Sequence, residues 1–299
     1  MTIVCGTDFS ESSATAARVA AAIAKRLALP LKLVHAIDDS GAEWTARRSR
    51  ETYEPLQARL DAEAERLRAE LAVDVESLVE TGAADERLVA LASSLDARLL
   101  VVGSLGARKQ SRWLLGSVAE RVAQSSPIAV LVIRDGGSIE AWARGEGALR
   151  VLVGVELTPA SHAALQWARE LRAIGPCELI VAHIVWPAEE QRRAGISTPI
   201  PLDHLRAELE HRLVRELRQW AGEQPDSSDT SFIVRAGWGR VDSHITQLAA
   251  EHTVDLLVVG THQRAGVARL WQGSVSRGVL HVASTAVACI PGGNGFERR

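Results

Sequence analysis

The run G-S-L-G-A-R-K-Q-S-R-W-L-L-G-S occupies residues 103–117. Before it stands Leu99-Leu100-Val101-Val102, a short apolar run with the character of a buried parallel strand, and after it Val118-Ala119-Glu120-Arg121-Val122-Ala123 carries a helical pattern. The run reads as a loop from the carboxyl end of a strand to the first turn of a helix, the place where open α/β sheets hold ligands. Gly103 and Gly106 let the backbone turn with no Cβ in the way. Gly116, Ser117 and Val118 open the helix, where N–H groups and the positive end of the dipole suit phosphate oxygens, and Ser117 adds a hydroxyl. A Gly-Ser pair alone can also be no more than a flexible residue and an N-cap. No lysine follows the last glycine, so this is not a Walker A loop, and the spacing G-x-x-G-x9-G-S is not the G-x-G-x-x-G dinucleotide fingerprint.

Strands and helices alternate on both sides of this loop. Residues 2–6 form a first strand and 8–11 a turn, with Ser10 capping a helix to about Leu27 whose inner face is Ala16, Val19, Ala20, Ile23 and Leu27. Further strands are expected at 31–37, 73–79, 99–102 and 127–133, and helices at about 55–71, with Pro55 in the first turn, and 85–94. This alternation predicts a parallel, doubly wound, flavodoxin-like sheet of five strands in the order 3-2-1-4-5, with helices on both faces. Residues 135–149, with glycines at 136, 137, 145 and 147, read as an exposed linker, and Trp142 within them is expected at an interdomain contact.

The pattern then restarts. Gly154 matches Gly6 and His183 matches His35, both 148 residues on, while Leu256 to Gly260 repeats Leu99 to Gly103 and Gly273-Ser274-Val275 repeats Gly116-Ser117-Val118, both 157 on. One α/β domain is duplicated, at 1–135 and 149–292, around a linker at 136–148 and with a tail at 293–299. Two such copies are expected to form an intramolecular pseudo-dimer, and two chains a homodimer. The apolar fifth strands, 128–133 and 286–290, are candidates for meeting edge to edge.

Composition narrows the function classes. With 34 Lys and Arg against 37 Asp and Glu, the net charge is -3, and no basic block offers a nucleic-acid-binding face. The longest apolar runs fall well short of the roughly 18 residues that span a bilayer, and the opening Met1-Thr2-Ile3-Val4 lacks a basic leader, so no membrane association and a cytoplasmic location are expected. Cys5, Cys177 and Cys289, odd in number and far apart, suit reduced thiols better than disulfides or zinc.

The complete glycine spacing at 103–117, the opening Gly-Thr-Asp-Phe-Ser-Glu at 6–11 and the second-strand ending Val-His-Ala-Ile-Asp at 34–38 together resemble the universal stress protein family, in its tandem-domain form. The resemblance covers most of the chain. It implies a fold akin to the adenine-nucleotide α-hydrolases and an ATP site in the first half. Thr7, Asp8 and Ala36 would face the adenine and ribose, Gly103 and Gly106 the ribose and phosphates, and Gly116, Ser117 and Val118 would donate to the triphosphate, with Mg2+ accompanying the nucleotide and no protein metal ligand assigned. In the second half Glu156 stands at the Asp8 position and Gln263 at the Gly106 position, while Gly260, Gly273, Ser274 and Val275 persist. That half is expected to bind weakly, to bind something else, or to support the first.

The implied role is an ATP-binding stress-response sensor or adaptor with an unidentified protein partner and no dedicated catalysis, since no group that would position water or stabilise a transferring phosphoryl is apparent. Two alternatives stand beside it: a slow adenine-nucleotide hydrolase, although the S-G-G-x-D-S loop of the α-hydrolase enzymes is replaced here by Gly6-Thr7-Asp8-Phe9-Ser10, and an interaction module that binds no nucleotide. Asp8 can instead cap the first helix beside Ser10, and Arg108, Lys109 and Arg112 either reach phosphates or form a solvated loop surface. His35 and His183 recur at one strand position without partners at metal-ligand spacing, and are expected to be structural.

Overall fold

The computed structural model describes residues 1–37, 46–105, 115–193, 195, 207–222, 230–261 and 275–292. These fall into two compact units, Met1–Gly147 with Ser284–Cys289, and Ala148–Ala283 with the residues from Ile290 onward. The first unit contains β1 (Ile3–Gly6), α1 (Glu11–Leu27), β2 (Leu31–Ile37), α2 (Ala46–Leu71), β3 (Val75–Thr81), α3 (Ala84–Ser94), β4 (Leu99–Gly103), α4 (Ser117–Ser125), β5 (Val130–Ile133) and α5 (Gly137–Arg144). Its strands lie parallel in the order β3-β2-β1-β4-β5, which is the arrangement the alternation predicts. Every residue of β1 and β5 is buried, as continuous apolar strands in a covered parallel sheet must be. The apolar edge of β5 is covered within the same unit by the segment 284–289, which pairs antiparallel through Val287↔Val132, Ala288↔Leu131 and Cys289↔Val130.

The second unit repeats the plan with β6 (Leu149–Val155), α6 (Pro159–Glu170), β7 (Cys177–Val185), α7 (Pro187–Arg193), α8 (Ala207–Ala221), β8 (Thr230–Ala236), α9 (Val241–Glu251), β9 (Leu256–Thr261), α10 (Val275–Val282) and the last strand β10 (Ala286–Pro291), whose residues to Cys289 group with the first unit. Strands β9, β6, β7 and β8 lie side by side and parallel. The start of the first helix is built alike in both units. Ser10 caps α1 by accepting from the Ser13 amide at 3.2 Å, and Thr158 caps α6 by accepting from the Ser161 amide at 3.2 Å.

Two expectations require correction. The stretch read as an exposed linker carries helix α5, packed on α1, and Trp142 is 2% exposed. Its glycines punctuate the helix instead of loosening it: Gly136 sits at the N-cap, and Gly145 ends it in the left-handed conformation at φ 90°. Helix α2 begins at Ala46, so Pro55 lies inside it and not in its first turn. The polar residues before Pro55 carry no apolar stripe, and periodicity alone cannot register a helix there. All three cysteines are free thiols, and no helix among the described residues is long and apolar enough to cross a membrane.

The duplication also exposes a compensated exchange. In the first unit Asp85, in the first turn of α3, pairs with Arg121 of α4 at 2.8 Å. The counterpart of Arg121 is Gly278, and there Asp242 of α9 instead accepts from Arg240 Nε at 3.1 Å and from its terminal nitrogen at 2.6 Å. A Cβ at Gly278 would lie 1.9 Å from Asp242 Oδ2. Gly278→Ala is accordingly expected to lower stability by about 1–2 kcal/mol, the cost of overpacking outweighing the roughly 1 kcal/mol that alanine gains in a helix. A thermal melt at or above the wild-type midpoint would refute this.

Candidate functional site

The site is built from the carboxyl ends of β1, β2 and β4, where β1 lies between the other two. The turn after β1 is held from several directions. The Thr7 amide donates to Val34 O at 2.8 Å, the Thr7 hydroxyl donates to Ser13 Oγ at 3.1 Å, and the Phe9 amide donates to Thr7 Oγ1 at 3.1 Å. His35 Nδ1 lies 2.8 Å from Thr7 O, and because a carbonyl only accepts, that nitrogen carries the hydrogen. His183 makes the same 2.8 Å contact with Val155 O, so both histidines lock the second strand of their unit to the turn beside it. Phe9 and its counterpart Leu157 both adopt positive φ, 62° and 56°, a conformation that bulky side chains rarely take. Thr7 therefore supports the site with polar groups already engaged within the protein.

Asp8, at the tip of this turn, is exposed, and its Oδ1 accepts from the Ser10 amide at 3.1 Å. Asp8 thus closes the turn ahead of the Ser10 cap and does not itself cap α1. Ala36 is half-buried near the end of β2, paired in register with Glu80.

The glycine loop is fixed at both ends. A Cβ on Gly103 would lie 2.7 Å from Ser12 Oγ and 2.8 and 2.9 Å from the Ser12 backbone C and O, so the end of β4 touches the first turn of α1 directly. Two residues on, the Leu105 amide donates to Ser12 Oγ at 3.3 Å, and Ser10 Oγ lies within 3.5 Å of Leu105 O. The Ser104 amide donates to Ile133 O at 2.8 Å, while Ser104 O accepts from the Gly116 amide at 2.7 Å. That last bond draws the two ends of the loop together and sets the N-terminus of α4 beside the end of β4. It also corrects one expectation: the Gly116 amide is engaged by Ser104, which leaves only the first-turn amides of α4 at Ser117 and Val118 as candidate donors to an anion. Ser117 is exposed and Gly116 and Val118 half-buried. Gly106, Arg108, Lys109 and Arg112 lie outside the described residues.

In the second unit Gly260 repeats the close approach, with a Cβ lying 2.6 Å from the C and O of Ala160. Glu156 and Leu157 are exposed, and Val275 opens α10. Ala160 stands where Ser12 stands, so the hydroxyl that receives the Leu105 amide has no counterpart. Gln263, Gly273 and Ser274 lie outside the described residues.

Beneath the β1 turn is a cluster that the motif does not register. The Arg59 guanidinium lies 4.1 Å over the Phe9 ring, whose other neighbour is the His35 ring at 4.6 Å between centroids. One turn further along α2, Glu63 is 8% exposed, and its Oε1 is buried with no hydrogen-bond partner. Burial raises the Glu63 carboxyl above the ordinary glutamate range; Arg66 and Arg59 draw it back and the Asp8 charge adds to the rise. The signal was present in the sequence as a charged residue on the Leu56, Leu60 and Leu67 stripe. Among the described residues, no group of three or more His, Cys, Asp or Glu side chains is gathered to hold a metal.

Comparison with known proteins follows the same division. The model of the universal stress protein family matches residues 1–134 and again 148–291. A universal stress protein of Mycobacterium tuberculosis (strain ATCC 25618 / H37Rv) is 30% identical over 295 residues, covering 95% of this chain and 94% of that protein. A second from the same organism is 28% identical over 296 residues and 95% of each chain. The crystal structure of a universal stress protein from Archaeoglobus fulgidus DSM 4304 superposes with a TM-score of 0.73 at 18% identity, over 98% of both chains, which shows the fold.

Proposed function

Since the chain belongs to the universal stress protein family, we propose that its first unit binds ATP and that the protein serves as a nucleotide-dependent stress-response sensor or adaptor instead of a dedicated enzyme. The observation that carries this reading is the 2.7 Å bond from the Gly116 amide to Ser104 O, which sets the head of α4 at the carboxyl end of β4. Amides at a helix head recognise phosphate oxygens through hydrogen bonds and the helix dipole together. The Asp8 turn and Ala36 flank the same sheet edge and would receive the nucleoside. Magnesium would enter with the ligand, coordinated by phosphate oxygens and water.

The polar groups around the β1 turn favour holding over turnover. His35 is committed to Thr7 O, and Ser10, Ser12 and Ser13 bond one another or the backbone, so each is occupied in shaping the turn. Phosphoryl transfer requires a group that orients the nucleophile and charge that stabilises the transferring phosphoryl. The second unit is read as supporting or binding a different ligand, because Glu156 and Ala160 replace the Asp8 and Ser12 that shape the first site.

Calorimetric titration of MgATP into the full chain tests the proposal, with nucleotide released from the purified protein by denaturation identified by mass. One ATP bound per chain, recovered unhydrolysed, is expected. Absence of binding would leave the interaction-module reading, and steady release of AMP and pyrophosphate would favour the hydrolase.

A further inference from the structure

Glu63 occupies a position that the fold itself makes apolar. It stands eight residues before the last residue of α2, and eight residues before the last residue of α8 stands Leu213, which is 5% exposed. The neighbours agree: Leu67 matches Leu217 and Leu71 matches Ala221, all buried. On this count from the helix ends the second unit fills the position with a hydrocarbon, while one turn earlier the same count sets buried Leu60 against exposed Glu210. In the first unit it holds a carboxyl group with one oxygen sealed from water and unbonded, an arrangement that opposes folding unless something offsets it. The duplicated chain supplies its own control, and the carboxyl is confined to the unit with the complete glycine motif.

The surroundings indicate what Glu63 senses. Helix α2 packs on β3, β2 and α1. Along α2 itself the charges acting on Glu63 are Arg66 and Arg59, and from the turn after β1 the Asp8 carboxylate; the buried, neutral Cys5 thiol of β1 lies near enough to feel the Glu63 charge. From β2 the titratable group is His35, bonded to Thr7 O, and from β3 it is Ser77 that meets α2, as donor to Asp61. The described buried face of α1 is alanine, valine, isoleucine and Ser13. Apart from burial, Glu63 thus feels Arg66 and Arg59 most and, more weakly, Asp8, the residue at the tip of the nucleotide turn.

We propose that Glu63 is a positioning residue that links nucleotide affinity of the first unit to pH: it takes up a proton when an anionic nucleotide binds and gives one up when the nucleotide leaves. This rests on the ATP reading above. The ligand brings several negative charges to the end of the sheet where Asp8 already stands, and a charged Glu63 below the same turn repels them. A neutral Glu63 removes that repulsion, and by linkage whatever favours the neutral form favours the bound form equally. The sign follows. A carboxyl whose folded value is raised is neutral up to that value and charged above it, so affinity is highest at the acid side and falls as pH rises through it.

The test is MgATP affinity of the full chain scanned from about pH 5 to about pH 8, for wild type, Glu63→Gln and Glu63→Leu, together with calorimetry in two buffers of different ionisation enthalpy. Wild-type affinity is expected to fall about five- to tenfold relative to both variants across the scan, with proton uptake on binding in wild type and less in the variants. The nucleotide phosphate titrates in all three proteins, so the difference between them reads Glu63. Glu63→Leu copies Leu213 and keeps the test open should the glutamine fold poorly. Equal pH slopes and equal proton uptake in the three proteins would overturn this inference and leave ATP binding standing. Failure of wild type to bind ATP at any pH would overturn both.

Discussion

Gly103→Ala is expected to destabilise the first unit by about 3 kcal/mol, at the upper end of the usual range for overpacking, and to lower its melting midpoint by roughly 6–12 °C. The reason is contact with backbone. The new Cβ would lie 2.8 Å from the Ser12 carbonyl carbon and 2.9 Å from its oxygen, atoms that no rotamer change can move. Helix α1 cannot back away easily, because Ala16, Val19, Ala20 and Ile23 hold it to the sheet and Ser10 fixes its first turn. Removing the Ser12 hydroxyl therefore does not rescue the variant. Gly260→Ala is expected to behave alike in the second unit, where the Ala160 backbone lies 2.6 Å away. A Gly103→Ala protein that melts with wild type but fails to bind nucleotide would show that this glycine serves the ligand's approach and not helix packing.

That expectation changes how the motif is read. Gly103 reads in the sequence as a glycine that lets the backbone turn and, by the resemblance, lines the ribose and phosphates; the structure adds that it packs where β4 meets α1. The distinction was not available in one dimension, because close approach of two backbones depends on residues 91 positions apart in the chain. Much else was legible. The order β3-β2-β1-β4-β5 follows from alternating apolar runs, the Ser10 cap from its residue type before an apolar-periodic segment, and the duplication from matching landmarks at Gly6 and Gly154 and at His35 and His183. Helix α5 escaped because glycines at both ends of a short helix look like linker composition, although one is an N-cap and the other a left-handed C-cap. The Ser12 anchor and the Phe9, Arg59 and Glu63 cluster escaped for a different reason. Each joins α1 or α2 to a loop by contacts that periodicity does not record, and Glu63 shows in the sequence only as a charged residue on an apolar stripe.

The two units also separate the features they share from those confined to the first. Features present in both, such as the histidine lock, the capped first helix, the positive φ after the first strand and the glycine pressed on a helix backbone, are requirements of the architecture. Features confined to the first unit, namely Asp8, Ser12 and Glu63, are not needed to build the sheet. Ser12 ties down Leu105, Asp8 shapes the turn and Glu63 lies buried on α2.

Gly116→Val is expected to abolish ATP binding, with affinity at least about a hundredfold weaker, while the fold survives. Gly116 has φ −66° and ψ 140°, a conformation that valine adopts without strain, and its amide can still donate to Ser104 O. Loss of a favoured N-cap residue costs the helix about 1 kcal/mol or less. The effect on binding is steric. An isopropyl group at the head of α4 stands in front of the Ser117 and Val118 amides, and each hydrogen bond denied to a charged phosphate forfeits about 1.5–3 kcal/mol. Two such bonds amount to a hundredfold or more. Gly103→Ala should lose stability first and binding only as a consequence; Gly116→Val should do the reverse, and Gly116→Ala should fall between it and wild type. Tight ATP binding by a well-folded Gly116→Val protein would remove the head of α4 from the site and with it the physical basis for assigning the phosphates there.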